Sequence, residues 1–189
     1  MKTACFAAAL ALLAVALVPQ ASARKEPVRR VAAAKRDDPA TGVRLAHLLG
    51  EIRGHRDETW RWERVMQRPR TMYSASAETV RSVAYRQWVM NLWRDRAAHA
   101  KLTALNPPHK AEWLCIHQYE GAWADPSAPY FGGLQMDLEF QQTYGRVLLR
   151  AKGTADHWSP LEQMWVAERA YKTRGFWPWP TTARSCGLL

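Results

Sequence analysis

His109-Lys110-Ala111-Glu112-Trp113-Leu114-Cys115-Ile116-His117-Gln118-Tyr119-Glu120-Gly121 is the stretch on which the reading of this chain turns. Trp113, Ile116 and Glu120 stand at i, i+3 and i+7. That is the spacing of one helical face, so a short helix is expected from about His109 to Tyr119, with a carboxylate closing its apolar stripe. Gly121 follows where a left-handed C-cap commonly ends a helix. Next, Asp125-Pro126-Ser127-Ala128-Pro129 is rich in turn formers, and Tyr130-Phe131-Gly132-Gly133-Leu134-Gln135-Met136 carries paired glycines. Paired glycines permit a tight bend or a close backbone approach to a ligand, so any small β-hairpin belongs here. Asp137 is placed to cap a helix that runs to Tyr144 and stops at Gly145. Ser159-Pro160-Leu161-Glu162 reads as a capping box with proline at the first helical position. Its helix carries Leu161, Met164, Trp165 and Glu168 on one stripe and is expected to end near Gly175, with Phe176 to Pro180 extended beyond it.

Upstream, a helical period begins at Val43 with Leu45, Leu48, Leu49 and Ile52, and continues through Arg56, Trp60 and Glu63 until Pro69 stops it. Gly50 and Gly54 weaken this helix. A second helix is expected from Ser76 as N-cap, with Glu78 in its first turn. Tyr85, Trp88, Val89 and Leu92 form its apolar stripe, with Val80, Val83, Ala84 and Gln87 on an adjoining face. Such a wide stripe favours packing between other helices. Residues 41–106 therefore read as a helical hairpin, and Pro107-Pro108 divides it from residues 107–189. The fold class is mainly α, with at most one small hairpin.

The 189 residues give room for one ordinary domain or a small domain with an extension. A composition 48% hydrophobic and 23% charged excludes a wholly disordered chain. Lys2 precedes an apolar run from Ala4 to Val18, followed by Pro19 and Ala21-Ser22-Ala23. A basic start, a short apolar run and a small-x-small end make residues 1–23 read as a secretory signal peptide; the alternative is an uncleaved anchor, which an apolar run shorter than a spanning helix disfavours. Residues 24–40 are basic, Ala-rich and aperiodic, and read as a flexible leader. Cleavage after Ala23 removes Cys5, leaving Cys115 and Cys186 in a compartment where disulfides persist. They are expected to pair, closing a loop of about 72 residues for which chain entropy gives roughly 4 kcal/mol. Cys115 has no Cys-x-x-Cys partner, so no metal site is expected. Neither a phosphate-binding loop nor a dinucleotide fingerprint is present, and no cofactor is implied.

Glu120 is the candidate for chemistry. A glutamate lodged among Trp, Ile and Tyr loses hydration, which favours its protonated form. Such a group can protonate a glycosidic oxygen as a general acid. On spacing alone, the alternative is a helix-end glutamate that simply faces water.

Trp113, the stretch from Cys115 to Glu120, Trp123 and the Tyr130-Phe131-Gly132-Gly133-Leu134-Gln135 block resemble the transglycosylase-like domain of actinobacterial resuscitation-promoting factors. The likeness continues through Tyr144-Gly145, Glu162-Gln163, Val166-Ala167-Glu168-Arg169 and Trp179-Pro180 before Cys186, and so covers roughly residues 109–189. It implies a lysozyme-like fold shared with soluble lytic transglycosylases, a peptidoglycan glycan strand as substrate, and Glu120 as the single catalytic glutamate. It also implies a Cys115–Cys186 disulfide. The expected activity is cleavage of the β-1,4 bond between N-acetylmuramic acid and N-acetylglucosamine, with substrate groups helping where a second carboxylate is lacking. Asp125 and Asp137 read better as turn and cap residues than as that second carboxylate. Gln135 is a candidate for holding a sugar acetamido group or, equally, a buried amide that braces its loop. Tyr130 is a candidate for stacking on a sugar ring or for a place in the core. Gly133 and Trp123 complete the expected substrate contacts. Glu168 reads as a buried structural hydrogen-bonder, and His117 as a partly buried helix residue. Three features depart from the family pattern. The step after the glutamate is the shorter Gly121-Ala122-Trp123, Cys115 lies five residues before Glu120 instead of beside it, and Phe140-Gln141 replaces a Thr-Trp pair. The resemblance does not extend to residues 43–106.

A second class of function stays open: a weakly catalytic or non-catalytic wall-binding protein. Its basis is charge. Residues 24–108 hold eighteen Lys/Arg against nine Asp/Glu, whereas residues 109–189 hold eight of each. The basic surplus therefore belongs wholly to the first half, where it suits an anionic wall polymer or a partner protein. Export disfavours nucleic acid as a partner, and the expected location is extracellular and cell-wall associated. An electrostatic role predicts that retention of the protein on insoluble cell wall weakens as salt is added; salt-independent retention would contradict it.

Overall fold

The computed structural model describes residues 38–189, all of which belong to one compact unit. The expected signal peptide, Cys5 and nearly all of the leader lie outside the described residues. The leader's last two residues, Pro39 and Ala40, belong to the first helix, because proline is well suited to the first helical position. The described chain is mainly helical, with a single two-stranded sheet. Among the described residues no helix is long and apolar enough to cross a membrane.

Helix α1 spans Pro39–Val65 and buries Leu45, Leu48, Ile52, Thr59 and Glu63. Gly50 and Gly54 face open space and do not break it. It ends four residues before Pro69, where Gln67 takes a left-handed backbone (φ 52°) and turns the chain. A one-turn helix α2, Ser76–Thr79, precedes α3, Val83–Leu105. The expected start at Ser76 therefore belongs to a separate turn. Ser82 is the residue that caps α3, accepting a hydrogen bond from the Tyr85 backbone N–H. The buried face of α3 is Arg86, Val89, Trp93, Ala97, Ala100 and Ala104. It is offset from the expected stripe, with Trp88 60% exposed.

These helices do not form a hairpin. The guanidinium of Arg86, near the start of α3, donates to the Leu45 carbonyl near the start of α1 at 2.6 Å. Ile52 packs with Val89 and Trp93, and Met66 packs with Ala100 and Ala104. Contacts that advance together along both helices mean that α1 and α3 run parallel. A parallel pair needs a long return, and residues 66–82 supply it. Thr71 donates from both backbone and hydroxyl to the Glu63 carboxylate and accepts from the Trp60 indole at 2.9 Å. Tyr73 packs on Trp93, Arg53 pairs with Glu78 at 3.0 Å, and Arg86 donates to the Glu78 and Val80 carbonyls. Periodicity along a helix carries no sign of its direction; it is these polar contacts that hold the return segment between α1 and α3.

The second half begins with α4, Lys110–Glu120, and a hairpin of β1, Tyr130–Phe131, and β2, Met136–Asp137, whose register pairs Tyr130 with Asp137. Helix α5, Leu138–Tyr144, is capped by the Asp137 carboxylate, which accepts from the Phe140 N–H at 2.7 Å. Helix α6, Arg146–Lys152, was not anticipated; its seven residues are too few for a clear period. Helix α7, Pro160–Arg174, opens on the expected capping box of Ser159 and Glu162. Beyond Gly175 the chain turns from Phe176 to Trp179 and forms α8, Pro180–Ser185, in place of the expected extended tail. Proline at the first helical position accounts for that start.

Helix α7 is the centre of this half, buried continuously from Glu162 to Glu168. Trp113, Ile116, Leu134, Met136, Trp158 and Trp179 surround it in the main apolar cluster. Its Trp165 faces the other way, into Met66, Ala100 and Ala104, and its indole donates to the Ala104 carbonyl at 2.9 Å. The α1–α3 pair is thereby joined to the second half through a packed indole.

Arg86→Ala is expected to lower stability by about 3 kcal/mol, because three backbone carbonyls lose their donor in the first half. Urea unfolding measures this; a loss below 1 kcal/mol would show that the guanidinium does not hold the parallel pair together.

Candidate functional site

Glu120 is the last residue of α4. Trp113 and Ile116 are fully buried, but Glu120 stands partly exposed at the helix end, not lodged in the core as its spacing suggested. Gly121 then leaves the helix at φ 151°, and a Cβ there would press on Asp125 and Gln135 at 3.3 Å. Across from Glu120 lies α8, whose Thr182 hydroxyl donates to Glu120 Oε1 at 2.8 Å. The Cys115–Cys186 disulfide ties the same two helices, with a Cα–Cα distance of 6.1 Å. Covalent bond and hydrogen bond together fix where α8 sits against the carboxylate.

Glu120, Thr182, Tyr130, Gln135 and Trp179 line a cleft of about 380 Å³. Tyr130, Gln135, Pro178 and Trp179 also line a second space of about 390 Å³, which runs on past Phe140 to Glu139, Thr143 and Arg174. The two spaces adjoin at these four residues and together are termed the groove. Trp179 forms part of its floor, only 4% exposed, with its indole donating to the Leu134 carbonyl at 2.7 Å. Tyr130 is half-exposed, so its ring is available to a ligand in the groove.

The Gln135 side chain braces its loop: Nε2 donates to Asp125 Oδ2 at 2.9 Å and to the Gly132 carbonyl at 3.0 Å. Gln135 also holds a left-handed backbone (φ 46°), unusual for a side chain with a Cβ, at the end of the turn. With its amide nitrogen so engaged, Gln135 also lines both spaces. Asp125 is held below the usual carboxylate range, chiefly by hydrogen bonds from Ser127 and further by Gln135. It is therefore an ionised turn residue, and Asp137 is a helix cap; neither carboxylate is idle.

Two expected substrate residues take other places. Gly133 is buried, and a Cβ there would come within 2.6 Å of His117 Nδ1 and 2.7 Å of the Trp123 ring. Its lack of a side chain serves close packing, not a ligand. Trp123 stacks on His117 at 3.9 Å and accepts from Gln163 through its carbonyl, away from the groove lining. Of the replaced pair, Phe140 lines the groove, while Gln141 is fully buried and donates to the Met136 carbonyl. Glu168 is buried and hydrogen-bonded to His109 and Trp113, as the resemblance implied.

Thr182 was missed. It lies 62 residues from Glu120, and a threonine near the chain end carries no periodic or motif signal. The disulfide was the one available clue, since joining Cys115 to Cys186 necessarily brings residues near 182 toward α4. Glu139, Thr143 and Arg174 were missed for the same reason: each is an ordinary exposed helix residue until the fold sets it beside a groove. Among the described residues no group of three or more His, Cys, Asp or Glu is placed to hold a metal ion. No family model, curated protein or solved structure matches the chain.

Gly133→Ala is expected to destabilise by roughly 1–3 kcal/mol through overpacking against His117 and Trp123. Gly54→Ala, in open space on α1, should instead stabilise by about 0.5–1 kcal/mol. Thermal melts of the two variants moving in the same direction would refute the packing role of Gly133.

Proposed function

We propose that this chain is a secreted peptidoglycan-cleaving glycosidase of the lysozyme-like, lytic transglycosylase kind, with Glu120 as its general acid and base. The observation that carries the reading is a partly exposed glutamate in a long groove, with one carboxylate oxygen already held by Thr182. The mainly helical build, the single hairpin at Tyr130–Asp137 and the Cys115–Cys186 bond agree with what the resemblance implies.

The chemistry follows from the hydrogen bond. Thr182 donates to Oε1, which leaves Oε2 as the oxygen that gives and takes the proton in the reaction. From there Glu120 protonates the oxygen between N-acetylmuramic acid and N-acetylglucosamine as the C1–O bond breaks, through an oxocarbenium-like transition state. The ionised carboxylate then takes the proton of the muramoyl 6-hydroxyl as that oxygen bonds to C1. A 1,6-anhydro end results, no water is consumed, and Glu120 is again protonated. Water in place of the 6-hydroxyl gives ordinary hydrolysis. Asp125, engaged by Ser127 and Gln135, is poorly suited to serve as a nucleophile at C1, which favours the single-carboxylate route. Tyr130 supplies a ring face for a sugar, and the Gln135 carbonyl oxygen an acceptor for an acetamido N–H.

Digestion of purified peptidoglycan by wild type and Glu120→Gln, with the released muropeptides weighed, tests the proposal. A loss of at least about a hundredfold in rate is expected in the variant, and wild-type products lighter by one water than the hydrolytic ones. Equal rates in the two proteins would sink the role of Glu120. Retention on the wall without turnover by the wild type would favour a wall-binding protein instead.

A further inference from the structure

We infer that the end of the groove remote from Glu120 is a subsite for a zwitterionic peptide stem, so that the strand taken is a peptide-substituted glycan; this rests on the reading of Glu120 above. Glu139, in the first turn of α5, and Arg174, the last residue of α7, line the same space of about 390 Å³. They carry opposite charges yet do not pair: among the described residues neither takes part in an ion pair or a side-chain hydrogen bond. Elsewhere in the same half, at the opposite end of α7, Lys152 closes on Glu162 at 2.7 Å, so this half of the molecule does form such pairs where geometry permits. Thr143, one turn along α5 from Glu139, adds a hydroxyl to the same space.

A cation and an anion that face one cavity beyond pairing distance leave room for a ligand carrying both charges between them. The sugars of the strand offer hydroxyls and acetamides, which are neutral. The charges of peptidoglycan sit on the peptide attached to the muramoyl lactyl group, as free carboxylates and, in stems with a diamino acid, a free amine. The planar fork of Arg174 suits a carboxylate, and Glu139 suits the amine. The other titratable groups facing this space are Tyr130, Tyr144 and Asp137. Asp137 is engaged in capping α5, and its negative charge reinforces the amine side. The groove is thus ordered from the reacting bond at Glu120 and Thr182, past the ring of Tyr130, to a charged end that a bare glycan leaves unused.

The test compares soluble glycan strands with intact stems, strands stripped of stems by an amidase, and strands whose stem carboxylates are converted to amides. Each is offered to wild type, Arg174→Gln and Glu139→Gln; both positions are exposed, so the variants keep the fold. Wild type is expected to show a KM about fivefold lower for intact than for stripped strands. Arg174→Gln should abolish that preference by raising KM for intact strands about fivefold, with no comparable rise on the amidated substrate. Equal wild-type KM values for intact and stripped strands, or an equal loss on both in Arg174→Gln, would overturn the subsite. Calorimetric binding of intact muropeptides separates the two readings. Arg174-dependent binding without cleavage removes the chemistry and keeps the subsite, whereas indiscriminate cleavage does the reverse.

Discussion

The second half of the molecule depends on a carboxylate that does no chemistry. Glu168 lies 4% exposed inside α7, where an unpaired charge would cost several kcal/mol. It is satisfied from one direction, by the His109 backbone N–H at 2.8 Å, the His109 ring at 3.1 Å and the Trp113 indole at 2.9 Å. All three come from the start of α4, so Glu168 sets the position of that helix on α7. Trp113 then enters the core at zero exposure, in edge contact with Phe176 and Trp179. Gln163, five residues earlier on α7, acts likewise on the loops, donating to the carbonyls of Trp123, Ala155 and Trp158. Hydrophobic burial supplies most of the stabilisation here, but it is non-directional. The two buried polar side chains fix which loop and which helix end meet α7.

Glu120 inherits its position from this arrangement. It sits two turns beyond Trp113 on a helix that Glu168 anchors at its start and the disulfide holds in its middle. The carboxylate is consequently placed at a rigid helix end, while the groove facing it is built from a hairpin and a terminal helix. Gly132 and Gly133 let that hairpin press onto Gln163 and onto the His117–Trp123 stack, where any side chain would collide. The glycine pair therefore shapes the groove from behind.

Much of the second half is legible in the chain because its signals are local. The Ser159–Glu162 capping box, the Asp137 cap, the stop at Gly121 and the turn at Gly132-Gly133 each need only a few neighbouring residues to operate, and each appears where its chemistry dictates. The first half is less legible. Ser76 and Ser82 are both good caps within seven residues, and only the packing of Arg86 and Val89 on α1 selects the second for the long helix. The direction of α3 relative to α1 is invisible to periodicity altogether.

By itself, then, the sequence determined a mainly helical chain, its local caps and stops, a two-cysteine bridge and the candidacy of Glu120, because each rests on short-range geometry or on the chemistry of a residue type. The tertiary structure decided that α1 and α3 are parallel, that Gly133 and Trp123 support rather than line the groove, and that Thr182 meets Glu120. It also decided that Glu139 and Arg174 face one space. These are relations between residues far apart in the chain, created when buried polar groups such as Glu168, Gln163 and Arg86 select one packing among the many that hydrophobic burial alone would allow.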